Sequence, residues 1–403
     1  MGRQQNNLLR KAILALGIIV LAAAISQRAL LNLSRIDYRN SNFVFFWLAG
    51  KMVDAGQNPY DTRQWIAQHD TNAVTWRPNQ IFPYPLTLAL LLAPLGVLSL
   101  EMAYVAWQIT SFIIVAASAW AVLRSSGNPN AGPLFFPFVL GLLFFGPLYL
   151  TLQIGALGAF TLGAVTAGVL ALDRRRDLLG GVLLSLVMLK PPLGLPIVLL
   201  AGVWLVMRRC WMALIGISAG STLLLLAGLF IDPGWPGVFV GSAGDGIATR
   251  SLGLHSTVFS MAHIVCASGG NYQWLLGALA ALLLGLAAGA YLWRRRLLLT
   301  HLEAFSVIIP IAFVSAVYAW SYDQVLYVLP IAWILGRWAK SPRGTLGAAI
   351  FGLLTIAVSL TALAIHAYTG SDLLSGLTSL LVLAGVGLAE LAPQTTRPSV
   401  ARA

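Results

Sequence analysis

The chain has 403 residues, of which 58% are hydrophobic and 9% charged, against roughly 25% charge in soluble domains. That excludes a water-soluble globule and predicts an integral membrane protein. The net charge of +12 invites a nucleic-acid reading, but fourteen of the twenty-five Lys and Arg fall in five short clusters: Arg3/Arg10/Lys11, Arg174–Arg176, Arg208/Arg209, Arg294–Arg296 and Arg337/Lys340/Arg343. Each cluster abuts an apolar run, as cytoplasmic anchors do under the positive-inside rule, so no nucleic-acid partner is implied.

Crossing ~30 Å of hydrocarbon as a helix takes about 20 apolar residues. In chain order the candidate runs are 12–31, 82–98, 101–123, 133–151, 154–172, 178–190, 191–207, 211–231, 273–293, 303–319, 322–336, 345–368 and 373–391. They predict an all-α polytopic protein with about 12 membrane segments, some short or broken by Pro. The runs are continuous and rich in Leu and Ala, unlike the alternating strands of a membrane barrel. The first has a basic start but is too long for a signal peptide and reads as an uncleaved anchor. Cys210 and Cys266 would face opposite sides of the membrane, so no disulfide framework follows.

Placing all five clusters inside puts residues 34–80 and 232–272 outside. Parity then requires one run between Gln80 and Arg174 to be re-entrant or split, with 82–98 and 133–151 as the Pro-bounded candidates.

The first outer loop is the one long polar stretch; nine charges, four of them Asp, lie between Ser34 and Gln80. Within it, Asn42 precedes Phe43, Phe46, Trp47 and Val53, and Gly56 follows Asp54 and Ala55. This predicts a short helix with an Asn N-cap and a Gly stop. Its aromatic residues cover most of its circumference, so it is expected to lie in the headgroup layer. Gln57-Asn58-Pro59-Tyr60-Asp61 then reads as a turn, and Phe82-Pro83-Tyr84-Pro85 enters the next run.

The order Asn42-Phe43, Phe46-Trp47, Ala49-Gly50, Gly56, Pro59-Tyr60-Asp61, Phe82-Pro83-Tyr84-Pro85 and Pro94-Leu95 resembles the first outer loop of glycosyltransferase family eighty-seven. Leu189-Lys190-Pro191-Pro192-Leu193-Gly194, Ser321-Tyr322-Asp323-Gln324 and Leu329-Pro330 are similar to that family's downstream landmarks. The resemblance implies a GT-C fold and a mannosyltransferase or arabinofuranosyltransferase-like activity. The donor would be a polyprenyl-phosphate-linked sugar, the acceptor a glycan or glycolipid outside the cytoplasm, and the location the plasma membrane. It calls for no nucleotide motif and no cofactor. None of the Gly-containing stretches has P-loop or dinucleotide-fingerprint spacing, and no His pair has zinc-ligand spacing.

One departure concerns catalysis. The resemblance implies an Asp immediately before Phe43, and this chain has Asn42 there. An amide cannot serve as general base, a role that needs a carboxylate or similar group. Asp37, five residues upstream, and Asp61 are the two candidates, and spacing does not choose between them. The expected substrate-binding residues are Asn42, Tyr84, Lys190, Arg250, His255, Asp323 and Gln324. Asn42 has a helix cap as its plain alternative, Asp61 a turn or cap, and Asp323 the N-cap of its helix. Lys190 stands at a Pro-terminated helix end with no acidic neighbour in sequence, so a donor phosphate would supply its counter-charge; snorkelling to the headgroups is the alternative. Arg250 and His255 lie in the second outer segment beside a Gly-rich approach. The family's mannosyltransferase branch is expected to carry His where this chain has Gln324, which leaves the sugar open. The rival reading is a transporter or translocase of a lipid-linked sugar, built from the same broken helices. A catalytically degenerate member of the family is the third.

Overall fold

The computed structural model describes residues 38–74, 81–128, 131–242, 253–266 and 272–391. Asp37, Arg250 and the first run, 12–31, lie outside the described residues. Among those described there is no strand. A 3-10 turn at Tyr38–Asn40 leads into α1 (Phe43–Asp54) and α2 (Thr62–Thr71), followed by α3 (Leu86–Gly96), α4 (Leu100–Ser125), α5 (Ala131–Leu142), α6 (Gly146–Ile154), α7 (Gly158–Asp173) and α8 (Asp177–Ser185). A second 3-10 turn, Leu186–Leu189, joins α8 to α9 (Pro191–Met207), after which come α10 (Trp211–Leu229), α11 (Trp235–Ser242), α12 (Val258–Val265), α13 (Tyr272–Arg295) and α14 (His301–Ser315). A 3-10 stretch, Ser321–Tyr327, enters α15 (Val328–Trp338), and α16 (Pro342–Thr369) and α17 (Gly376–Leu391) complete the order.

Among the described residues, five stretches are long and apolar enough to cross a membrane: α4, α10, α13, most of α16, and Leu373–Glu390; α5 with α6, bent by 63°, makes a sixth if counted as one span. Shorter apolar helices, among them α7, α9 and α14, fill out the bundle. The expected figure of about 12 would require counting such shorter helices as spans.

Hydrogen bonds sort the helix ends into two groups. At one end, Asn128 donates to Gly336 O (2.7 Å), Asp173 accepts from the His301 and Leu302 amides (2.9 and 3.3 Å), Arg208 bonds Arg296 O, and Arg337 pairs with Glu303 (3.0 Å). Four of the five basic clusters have members here. At the other end, Trp47 Nε1 donates to Leu98 O (2.9 Å), Asn58 to Asp232 (2.9 Å), Tyr104 to Gln153 O (2.9 Å) and Thr151 to Tyr322 O (2.7 Å).

This arrangement bears on the parity question. Tyr84 and Leu98, on either side of α3, both touch α1 at the loop end, through the Phe46 ring (centroids 5.0 Å apart) and Trp47 respectively. The run 82–98 therefore begins and finishes at the same end. The run 133–151 is split instead, and passes from the Trp120–Phe135 contact near the basic end to Thr151 at the loop end.

The loop helix differs from expectation in two ways. Asn42 has helical dihedrals (φ −60°, ψ −26°) and makes no side-chain cap bond. Capping needs an extended N-cap backbone to swing the side-chain oxygen onto the following amides, and the preceding 3-10 turn denies Asn42 that conformation. The cap expected of Asn42 is corrected on that ground. The all-round apolar surface is also covered by protein, with Phe43 to Gly50 and Met52 buried. Gly56 does end the helix as expected, at φ +68°.

Helices α1 and α3 cross at glycines because their backbones nearly touch. A Cβ on Gly50 would stand 2.3 Å from Leu92 O, and one on Gly96 2.3 Å from Lys51 N. Backbone cannot step aside as a side-chain tip can. Gly50→Ala is therefore expected to cost about 1–3 kcal/mol, read as a lowered melting temperature in detergent. An unchanged melting temperature would show that the crossing is loose.

Candidate functional site

The loop end collects most of the expected residues. Phe43 is wedged against Gly155, where a Cβ would meet its own Cβ at 2.6 Å, and it packs on Tyr104 and Trp107. That anchors the start of α1 and with it Asn42, whose half-buried side chain makes no hydrogen bond among the described residues. Tyr84 is held from both sides: its ring packs on Phe46, and its carbonyl accepts from the Tyr60 hydroxyl at 2.5 Å.

Lys190 sits at the break between the Leu186–Leu189 turn and α9. Its backbone is non-helical (φ −129°, ψ 76°) because the following Pro191 opens the next helix. Gly194 lets that helix start back against the turn, for its Cβ would stand 2.2 Å from Val187 O. The side chain is 3% exposed and meets a fully buried carboxylate, Asp323, in a direct ion pair, with Nζ also 4.7 Å from the Tyr322 ring centroid. The picture of Lys190 as a cation without a protein counter-charge is thus corrected. Its partner lies 133 residues away in sequence, beyond the reach of any neighbour rule.

Asp323 uses both oxygens. One takes Lys190 and the other accepts the Trp320 amide at 3.1 Å, at the start of the 3-10 stretch. The next residue, Gln324, is also fully buried and donates to Ser375 O (2.8 Å) and Oγ (3.2 Å), leaving its own oxygen without a partner among the described residues. Tyr84, Tyr318 and Tyr322 keep part of their surface accessible around this pair.

His255 completes the cluster. It is fully buried, its ring packs edge-on to Trp320 with centroids 4.2 Å apart, and neither ring nitrogen has a partner among the described residues. Burial pushes its pKa down to about 4, with Asp372 opposing and Lys190 reinforcing the shift. A folded pKa below the free value of 6.5 means that the unfolded chain binds the proton first. Stability is therefore expected to fall as pH drops from about 6.5 to about 4, by up to roughly 3 kcal/mol. His255→Phe should lose less stability than wild type between pH 7.5 and pH 5; an equal loss would assign the slope to other groups.

Asp61 does what its plain reading implied. Its Oδ1 accepts the Arg63 and Gln64 amides (2.9 and 3.1 Å) and its Oδ2 the Gln64 side chain (3.3 Å), capping α2.

One residue was missed from sequence. Asp372, buried between α16 and α17, accepts from the Ser321 amide and hydroxyl (2.6 and 3.0 Å) and lies 2.8 Å from His366 Nδ1. A lone carboxylate between two long apolar runs was the available signal. No group of three or more His, Cys, Asp or Glu suited to a metal ion occurs among the described residues.

Comparison with known proteins gives one match. The family model described as glycosyltransferase family 87 matches residues 82–316, more than half of the chain. No curated protein and no solved structure matches. The matched span holds Tyr84, Lys190 and His255, and it stops just short of the Asp323 that Lys190 binds.

Proposed function

Because the chain belongs to glycosyltransferase family 87, we propose that this membrane glycosyltransferase moves a sugar from a polyprenyl-phosphate donor to a glycan or glycolipid acceptor at the extracytoplasmic face of the plasma membrane. The bundle is then a GT-C fold whose shorter helices count among about 12 crossings, and the basic end faces the cytoplasm. The observation that carries the reading is the Lys190–Asp323 pair, buried at a helix break beside three tyrosines and at the same end as the loop helix.

In the reaction, the acceptor hydroxyl oxygen bonds the anomeric carbon as the bond from that carbon to the phosphate oxygen breaks. The electron pair leaves with polyprenyl phosphate, and the hydroxyl proton passes to a carboxylate base. Lys190 offers a cation to the departing phosphate, a contact that strengthens as charge develops. Asn42, whose side-chain amide is unengaged among the described residues, hydrogen-bonds the sugar or the acceptor in this reading but cannot take the proton. Asp37 is favoured as base over Asp61, whose oxygens are engaged in the α2 cap.

The test is to incubate purified protein with a panel of polyprenyl-phosphate sugars and an envelope-glycan acceptor, following released polyprenyl phosphate. Release that depends on acceptor is expected for one donor class. No release from any donor would defeat the reading, and transbilayer movement of an intact lipid-linked sugar would replace it with translocation.

A further inference from the structure

The basic end carries a feature that sugar transfer does not use. The turn joining α7 to α8 is Arg174–Arg176 and the turn joining α9 to α10 begins Arg208-Arg209, while α13 ends in Arg294-Arg295 with Arg296 just after it. These three clusters form one surface. Arg208 bonds Arg296 O, and Arg175 and Arg208 both bear electrostatically on His301 and on the Cys210 thiol. Nearby carboxylates are few: Asp173 accepts two backbone amides, Glu390 takes Arg295 at 3.2 Å, and Asp177, next to Arg176, bears on the Cys210 thiol without an ion pair among the described residues. Arg174, Arg175, Arg176, Arg209 and Arg294 are without a carboxylate partner among the described residues.

Two of these arginines sit where glycine belongs. Arg175 and Arg209 adopt left-handed backbone (φ +61° and +58°), each one residue past the C-cap of its helix. Glycine takes that conformation without steric cost, and a Cβ does not. Arginine is held at both equivalent turns despite that strain, and both side chains are exposed on the basic surface.

What it serves is indicated by the surroundings. Trp211 (57% exposed), Trp293 (51%) and Leu297 (81%) lie bare beside the arginines, and Arg296 stacks over Trp293 at 4.0 Å. Exposed indoles under a ring of cations are the pattern of a membrane–water boundary; a soluble polyanion would require no apolar collar. All eight cluster residues are Arg, none Lys, which suits two-pronged hydrogen bonding to phosphate.

We infer that the Arg174–Arg176, Arg208/Arg209 and Arg294–Arg296 surface binds the phosphate headgroups of acidic phospholipids, with Arg175 and Arg209 as its built-in contacts. The full chain in nanodiscs tests this. Adding phosphatidylglycerol to a phosphatidylcholine disc should raise the melting temperature of wild type, and 0.5 M salt should erase most of the rise. The double variant Arg175→Gly/Arg209→Gly should melt no lower than wild type in phosphatidylcholine, because strain is relieved, yet show half or less of the phosphatidylglycerol shift. Arg174→Gln/Arg294→Gln, which leaves the left-handed turns untouched, should also reduce the shift. A full shift in both variants would overturn the inference. So would the same rise in phosphatidylcholine discs with millimolar inorganic phosphate, which would make the surface a site for free phosphate. Neither outcome depends on sugar transfer.

Discussion

Lys190→Met is expected to destabilise the protein by about 3–5 kcal/mol and, separately, to weaken donor binding. The first effect follows from Asp323, which is fully buried and has Lys190 as its ion-pair partner. Removing one member of a buried pair strands the other charge away from water. Seen from sequence alone, Met would be tolerated for stability because it keeps most of the apolar stem; the ion pair reverses that expectation. The double variant Lys190→Met/Asp323→Leu removes both charges, and replacing a buried pair by apolar groups is often close to neutral. It should recover most of the melting temperature without recovering affinity for polyprenyl-phosphate donors. Lys190→Arg, which keeps the charge but changes its geometry, should be intermediate in both. Donor affinity at the wild-type level in the stable double variant would remove Lys190 from the phosphate, whereas an unchanged melting temperature in the single variant would mean that the pair is not closed in the membrane.

Asp37→Asn is expected to lower turnover by about 10²–10⁴-fold, the usual worth of a positioned base, while leaving donor affinity nearly unchanged because only proton transfer is lost. Asp61→Asn is the matched comparison. Asn caps a helix about as well as Asp, so the substitution preserves the α2 N-terminus and isolates any chemical role. Activity near wild type is expected there. A large fall in Asp61→Asn with full activity in Asp37→Asn would exchange the two assignments. Asn42→Asp restores the residue that the family resemblance implies and should maintain or raise turnover, since the amide makes no cap bond and no hydrogen bond among the described residues rests on it.

How far these sites could be read in advance depended on how local their physics is. Membrane character, helical class and the position of each basic cluster follow from hydropathy and charge, which are properties of consecutive residues. The Gly56 stop and the Asp61 cap were legible for the same reason, since each concerns a residue and its own next turn. The family resemblance was carried by short motifs in order, and the family match over 82–316 bears it out. Asn42 shows where local reading fails: its cap was ruled out by the 3-10 turn in front of it, a matter of backbone path.

Composition, hydropathy and motif order determined that this chain is a helical membrane protein of its family, with its cations gathered at the boundaries of apolar runs. Folding determined which run turns back, since 82–98 and 133–151 are both apolar and both interrupted by Pro, and the contacts of Tyr84 and Leu98 with α1 distinguish them. It also matched Lys190 with Asp323, and placed His255 against Trp320 and Asp372 against Ser321. Those partners are separated by 51 to 133 residues; a charge buried in low dielectric takes whichever counter-charge the packed helices bring to it, and nothing about its neighbours in the chain encodes which one that will be.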